Sequence, residues 1–386
     1  MSLVDVIYFD AGGGHRAAAT ALELVCREQQ RPFQIRLVHL KEILAPVDVF
    51  RKVLGIDLEE IYNLMLRRGW TLGSAQGLRF MQAVIRLYHS SEVRLLRQWW
   101  EERSGQPAPH MVVSVVPNFN RALFEAWQAV KPGAPYVTLL TDLADYPPAF
   151  WIERQPQYFI CGTEKARKQA LSMGHPPERV FLVSGMILHP RFYEPMELDP
   201  ASERSKHGLD PSLPTGLVLF GGYGSDAMET VLDSIERAGA EVQLILIAGK
   251  NEALRARLES RRTRLPKHVL GFTTEVPYWM RISDFLVGKP GPGSISEALH
   301  CGLPVITVRN AWTLPQERYN AEWLEQQGAG IVLKSYRQTG EAVARLIGEN
   351  RLEPMKAAAG RHRNRALFEI PQILEDILAR HGRAGS

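Results

Sequence analysis

Two glycine-rich segments hold the residues whose types and spacing could do chemistry. In the first, Gly12, Gly13 and Gly14 follow a short apolar run and stand immediately before His15, where a helical pattern begins. Backbone N–H groups at a helix start have no partner inside the helix, and the macrodipole is positive there, so glycines at that point let an anion or polar group approach closely. An imidazole in that field is held neutral and can accept a proton from a hydroxyl. The same residues allow two other readings. Gly12, Gly14 and Ala17 fit the GxGxxA form of the dinucleotide fingerprint, and His15 could simply pack at the helix start. In the second segment, Gly288 to Pro304, a strand pattern ends in Gly291, Pro292 and Gly293, and Ser294 opens a helical one. A phosphate group suits that start. Glu297, one turn in, could accept hydrogen bonds from the vicinal hydroxyls of a ribose whose diphosphate rests there. Ser294 and Glu297 also satisfy the Ser-x-x-Glu capping box, so the role of the carboxylate stays open at this point.

The elements that must position these residues are strands alternating with helices. Strand-like runs occur at 4–10, 35–40, 111–116, 136–140 and 158–161, mostly separated by helical segments, as the βαβ units of a parallel sheet require. The helix after the first glycines shows Ala18, Leu22 and Val25 on one face. Around 196–214 the prolines and charges cluster with no long apolar run, which reads as a linker. Beyond it the same order recurs: a strand, the glycine loop Gly221-Gly222-Tyr223-Gly224, a helix, and further strands at 242–249, 269–272, 284–289 and 304–308. The expectation is two doubly wound α/β domains facing each other across a cleft, with ligands at the carboxyl ends of the strands.

Composition agrees with that division and excludes other classes. A chain of 386 residues exceeds the usual size of one domain, and 45% hydrophobic with 23% charged residues is ordinary globular composition. A net charge of +4 is too small over this length for a dedicated nucleic-acid binder. The three cysteines, Cys26, Cys161 and Cys301, are widely spaced and form neither a disulfide framework nor a CxxC metal motif. A reducing cytoplasm is the expected setting. The opening residues read as a strand and not as a secretory signal, and no run of roughly 20 apolar residues suggests a bilayer span.

Taken together, Phe9 to Ala17, Thr141-Asp142-Leu143, Gly271-Phe272, Gly291 to Leu299, and Gln316-Glu317 with Asn320 resemble the monogalactosyldiacylglycerol synthase and processive diacylglycerol glucosyltransferase family, relatives of the MurG glycosyltransferase. The resemblance runs from about residue 5 to about residue 335 and rests on the order and spacing of five motifs. It implies a GT-B fold of two Rossmann-like domains: an acceptor-binding domain over 1–195 with membrane-facing helices around 64–100, a linker at 196–214, a UDP-sugar domain over 215–365, and a helix at 366–386 that crosses back. Carried over by residue, it puts the diphosphate at Gly291, Pro292, Gly293 and Ser294 and the ribose on Glu297. It has the uracil read at Gly271 and Phe272, adds Gly221 and Gly222 to the donor side, and gives the sugar hydroxyls to Gln316 and Glu317 with Asn320 close behind. It makes His15 the leading base for the acceptor hydroxyl, with Asp142 as the rival, and sets Gly13, Gly14 and Trp151 on the acceptor side. Asp142 could equally be a turn carboxylate after its strand.

The implied reaction is an inverting transfer of a hexose from a UDP-sugar to a membrane lipid such as diacylglycerol. No Asp-x-Asp occurs in the chain, so no cofactor and no metal are expected, and helix N-termini and local cations would meet the charge of the leaving UDP. Lys250 is one such cation, although a solvated surface lysine is the simpler reading. Two departures from the family are visible. In the stretch TDLADYPPAFW the family's histidine before a tryptophan is absent, and Ala149, Phe150 and Trp151 stand there; the loop 221–226 lacks a glutamate common in relatives.

Residues 64–100 carry Arg67, Arg68, Arg79, Arg86, Arg94 and Arg97 against the single acid Glu92. Met81, Val84, Ile85 and Tyr88 share a helical face there, and Trp70, Trp99 and Trp100 are of the kind that sits at headgroup depth. An anionic membrane surface on the inner face of the cytoplasmic membrane is the implied partner, although such a face can equally be core. Competing functions are a UDP-sugar 2-epimerase on the same fold, a non-catalytic UDP-binding module, and an NAD-linked dehydrogenase. The dehydrogenase would need an acid after the second strand, where only Glu42 is available.

Overall fold

The computed structural model describes residues 2–10, 13–45, 74–102 and 107–383. They divide into two compact units, one comprising the described residues up to Pro190 together with those from Asn364 onward, the other Arg191–Arg363. Gly12, Arg67, Arg68 and Trp70 lie outside the described residues.

The first unit runs β1 (Ser2–Tyr8), α1 (Gly14–Glu28), β2 (Phe33–His39), α2 (Leu40–Leu44), α3 (Ser74–Glu102), β3 (Met111–Ser114), α4 (Asn120–Val130), β4 (Tyr136–Leu139), β5 (Tyr158–Cys161), α5 (Glu164–Ser172) and β6 (Val180–Leu182). Its six strands are all parallel, in the order β2-β1-β3-β4-β5-β6. Strands covered on both faces need continuous apolar runs, and β3 and β5 are buried at every position. One charge interrupts β1. Asp5 is buried and receives a two-pronged bond from Arg36, its register partner on β2, at 2.7 and 2.9 Å, with the Trp100 indole N–H at 3.1 Å. Three donors are what a buried carboxylate requires. On α1, Ala18, Leu22 and Val25 are all buried, as the periodicity predicts.

The second unit begins with α6 (Pro200–Lys206) and continues β7 (Thr215–Leu219), α7 (Ala227–Ala238), β8 (Gln243–Ile247), α8 (Glu252–Ser260), β9 (Lys267–Leu270), α9 (Val276–Arg281), β10 (Phe285–Gly288), α10 (Pro292–His300), β11 (Val305–Val308), α11 (Pro315–Gln326), β12 (Gly330–Leu333), α12 (Thr339–Gly348) and α13 (Leu352–Ala359). Its six parallel strands are ordered β12-β11-β10-β7-β8-β9. The sequence patterns did not resolve β6 and β12, which are short, and β12 is half-buried.

The strand order fixes where ligands can sit. In each sheet the chain reverses direction beside its first strand, between β1 and β3 and between β7 and β10, so the loops leaving those strands diverge and open a crevice at their carboxyl ends. His15 follows β1, and Gly221 and Gly291 follow β7 and β10.

Two expectations are corrected. Residues 196–214 are not a tether: they lie in the second unit, with Asp199 capping α6 and the buried Arg204 donating to Asp284 at 2.7 Å and to the Ile282 carbonyl at 2.8 Å. Pro200 occupies the first turn of α6 and Pro214 leads directly into β7. The proposed membrane face on α3 is also core, because Ile85 is buried and Met81 packs beside it, while Trp99 packs on the same cluster and Trp100 is buried against Asp5. Phe80 and Leu87 are the large apolar residues that α3 exposes, at 62% and 78%.

Chain end and first unit meet through α14 (Ala366–Arg383), which buries Leu367, Ile370, Leu374 and Ile377 completely. Arg31 holds it by Gln372 at 2.8 Å and Glu375 at 3.0 Å, and His381 bonds Tyr158 at 3.1 Å.

Candidate active site

The second unit brings four loops together at the ends of β7, β8, β9 and β10. Gly249 has a left-handed φ of 63°, and a side chain there would lie 2.4 Å from the Gly222 carbonyl oxygen, so glycine is what lets the loops after β7 and β8 touch. The Lys250 N–H closes the contact on the Gly222 carbonyl at 2.9 Å. Lys250 is an exposed lysine whose ammonium lies 5.2 Å from the Phe272 ring centre and 6.0 Å from that of Tyr223. Phe272 itself is 59% exposed, an open aromatic surface beside Gly271.

At the end of β10 the helix α10 starts at Pro292, two residues earlier than the sequence pattern suggests, with Gly291 as N-cap and no side-chain cap bond. The Ile295 N–H bonds the Gly291 carbonyl, which leaves the N–H groups of Gly293 and Ser294 pointing out of the helix start. This geometry rules out the capping box. Ser294 is third in the helix and Glu297 sixth, so neither can cap the other's backbone. Glu297 is half-buried, and burial pushes its carboxyl up to about 7.

Lys289 is the site residue that pattern reading missed. Its ammonium bonds Glu317 at 3.3 Å, and its chain runs past Gly221 and Gly291, where added side chains would lie 3.8 and 3.4 Å from its Cε. The signal available in the sequence was its position, one residue after a strand that leads into an anion-binding helix start. Gln316 and Glu317 occupy the first turn of α11, with Glu317 buried against Lys289. Asn320 is placed differently from expectation. It is fully buried and donates to the Pro290 carbonyl at 2.9 Å, so it braces the loop that Lys289 and Gly291 belong to.

In the first unit, Gly13 takes φ of 81° as the N-cap of α1, and Gly14 and His15 are its first two residues, both accessible at the end of β1. The His15 Nδ1 is 3.0 Å from the Thr141 hydroxyl, and its ring centre lies 5.9 Å from that of Trp151. Trp151 is fully buried, and its indole N–H donates to Asp142 Oδ2 at 2.8 Å. Asp145 ties the loop shut by accepting from the N–H groups of Ala149 at 3.1 Å, Phe150 at 3.0 Å and Trp151 at 2.6 Å. Burial pushes its carboxyl up while those backbone bonds pull it down. His15, Thr141, Asp142 and Trp151 therefore form one contiguous set. Ala17 is exposed, so it does not supply the close helix-to-strand packing of a dinucleotide fingerprint.

Two doubly wound parallel sheets, the second with a phosphate-type helix start, are the architecture of the GT-B fold. Residues 217–377 match the glycosyltransferase family 28 C-terminal domain, and the chain is an enzyme, a glycosyltransferase. It is 29% identical over 358 residues to the probable monogalactosyldiacylglycerol synthase 2, chloroplastic, of Oryza sativa subsp. indica, covering 88% of this chain and 72% of that one. Among solved structures it resembles Acinetobacter baumannii MurG, with a TM-score of 0.62 at 12% identity over 97% of this chain and all of that one. It also resembles UDP-GlcNAc 2-epimerase from Neisseria meningitidis bound to UDP-GlcNAc, with a TM-score of 0.58 at 15% identity, covering 98% and 100% of the two chains. These two likenesses show the fold. Among the described residues no helix is long and apolar enough to cross a membrane.

Proposed function

We propose that the protein transfers a hexose from a UDP-sugar to the hydroxyl of a membrane lipid such as diacylglycerol, with inversion, giving a β-glycolipid. The observation that carries this reading is the α10 start: two outward N–H groups, Lys289 beside them, and a carboxylate at Glu297 that no capping role claims. A nucleoside diphosphate matches that set, with phosphates on the N–H groups and ammonium, and ribose hydroxyls on Glu297. Phe272 and Gly271 would take the uracil, and Gln316 with Glu317 the sugar. The similarity to monogalactosyldiacylglycerol synthases supports a lipid acceptor and a galactosyl donor.

In this reading the acceptor oxygen attacks the anomeric carbon as the bond to UDP breaks, the bonding pair leaving on the β-phosphate oxygen. His15 takes the proton. In the tautomer that donates Nδ1–H to Thr141, Nε2 carries the lone pair that takes the proton. The phosphate charge is met by α10 and Lys289 with no metal or cofactor assigned to it. Gly13 and Gly14 would line the approach of the acceptor, and Trp151 would set the attitude of His15. Phe80 and Leu87 with the nearby Arg79 would rest on an anionic membrane surface, peripheral to the cytoplasmic face.

The test is to incubate the purified protein with UDP-galactose, UDP-glucose or UDP-N-acetylglucosamine and diacylglycerol-containing vesicles, and to analyse the lipids by mass. A new hexosyl lipid is expected. UDP release without one, or no binding of any UDP-sugar, overturns the reading.

A further inference from the structure

The first unit contains a cavity of about 370 Å³ that the transfer reading does not use. It lies between α3, α4 and the loop that carries Trp151, and Ala149 forms part of its wall. Its size is at the lower end of the range for small-molecule sites. Glu92 lines it, only 4% exposed, with Oε2 lacking a hydrogen-bond partner among the described residues. A buried acceptor of that kind costs stability unless something donates to it.

The rest of the wall indicates what would donate. Arg86 and Arg121 stand near Glu153, and Arg121 also bonds Glu125 at 2.9 Å. Gln82 and Asn118 bond each other at 3.2 Å, which still leaves the Gln82 oxygen and the Asn118 amide N–H groups for a ligand. Burial raises both carboxyls, Glu92 to about 7. The wall thus has guanidinium donors, carboxyl acceptors and carboxamides that offer both, with the charges of the two signs interleaved. A phosphate would sit beside Glu92 and Glu153, which is repulsive wherever either is ionised, and a cation would meet two arginines. A neutral group rich in hydroxyls suffers neither penalty, because each hydroxyl donates and accepts.

We propose that this cavity binds a neutral polyhydroxyl group of hexose size, with hydroxyls donating to Glu92 and accepting from Arg86. All of its lining residues belong to the first unit. Its occupant touches the loop of Asn118 and Ala149, and the Asn118 N–H bonds the Phe150 carbonyl at 2.6 Å, so binding bears on the strand of backbone that places Trp151. The hydroxyls could belong to a free sugar or to the headgroup of a glycosylated lipid, and the chemistry is the same for both.

The experiment is amide hydrogen exchange of the full chain over residues 82–92 and 118–122, with no nucleotide present, so that it stands apart from transfer activity. The probes are methyl β-D-galactopyranoside, methyl β-D-glucopyranoside, vesicles with and without a β-hexosyldiacylglycerol, and inorganic phosphate. Slowed exchange with a methyl hexoside supports the site and shows a free sugar suffices; slowed exchange only with glycolipid vesicles supports it and assigns the lipid-borne form. Arg86→Ala and Glu92→Gln should each weaken the effect about tenfold, as loss of a hydrogen bond to a charged group implies. Unchanged ligand-free exchange protection of β3 and β4 reports that the first unit of each variant is folded. No slowing by any sugar probe, equal slowing by phosphate, or undiminished slowing in both folded variants overturns the proposal.

Discussion

The Trp151 indole N–H donates to Asp142 at 2.8 Å, and the same tryptophan packs its ring against His15 at 5.9 Å. A carboxylate that the sequence offers as a rival base is thereby engaged in orienting an indole, and the imidazole is the group left accessible. His15→Ala should lower kcat by about 10²- to 10⁴-fold, the usual range for a general base. Asp142→Asn should lower it less and keep the acid limb of the pH–rate profile, which His15→Ala removes. An acid limb that survives in His15→Ala and disappears in Asp142→Asn would reverse the assignment.

Lys289 connects the α10 start to Glu317 at 3.3 Å. Lys289→Met keeps the length of the chain and removes the charge. UDP affinity should fall about tenfold or more, the scale of one charge-assisted hydrogen bond. Calorimetric titration with UDP alone checks this, and an unchanged Kd would remove the lysine from the phosphate site.

Glu297 gives a pH signature. Its carboxyl is raised to about 7, so it is largely neutral at pH 6 and charged at pH 8. The charged form accepts two hydroxyl hydrogen bonds, so UDP binding should strengthen as pH rises from 6 to 8, by more than the same titration in Glu297→Gln. The stability effect has the opposite sign. Below the unfolded value near 4.5 both states are protonated and there is no penalty; as pH climbs towards 7 the unfolded state ionises first and stability is lost. Glu297→Gln should therefore raise Tm at pH 8 and leave it unchanged near pH 4, as scanning calorimetry can show.

Phe80 and Leu87 are two turns apart on α3 and exposed beside Arg79 and Arg86. Phe80→Ser with Leu87→Ser should reduce co-sedimentation with anionic vesicles while sparing Tm, because neither side chain is core. Equal sedimentation of variant and wild type would move the membrane contact elsewhere.

Arg204 is buried against Asp284, where Lys356 also reaches the carboxylate at 3.2 Å. Breaking a buried pair leaves an uncompensated charge, so Arg204→Ala should cost about 3 kcal/mol in denaturant unfolding of the second unit. A change within about 0.5 kcal/mol would mean Lys356 satisfies Asp284 alone.

Local pattern was enough for the parts of this protein that are local. Parallel strands other than β6 and β12 announce themselves as apolar runs, and glycines before helices mark the two candidate anion loops, because burial on both faces and close backbone approach each demand particular residues at adjacent positions. The family resemblance likewise lives in short contiguous motifs. What needed tertiary structure were the choices made by distant partners. Whether Glu297 caps a helix depends on where α10 starts, which Pro292 and the loop braced by Asn320 set. Whether Met81 and Ile85 face lipid or core depends on what packs over α3, and helical periodicity is the same in both cases. That Asp142 accepts from an indole could not be read from the sequence, because Trp151, nine positions on, is brought back to it by the Asp145 loop. Spacing along the chain determined which residues could do chemistry; contacts across the fold determined which partners each of them meets.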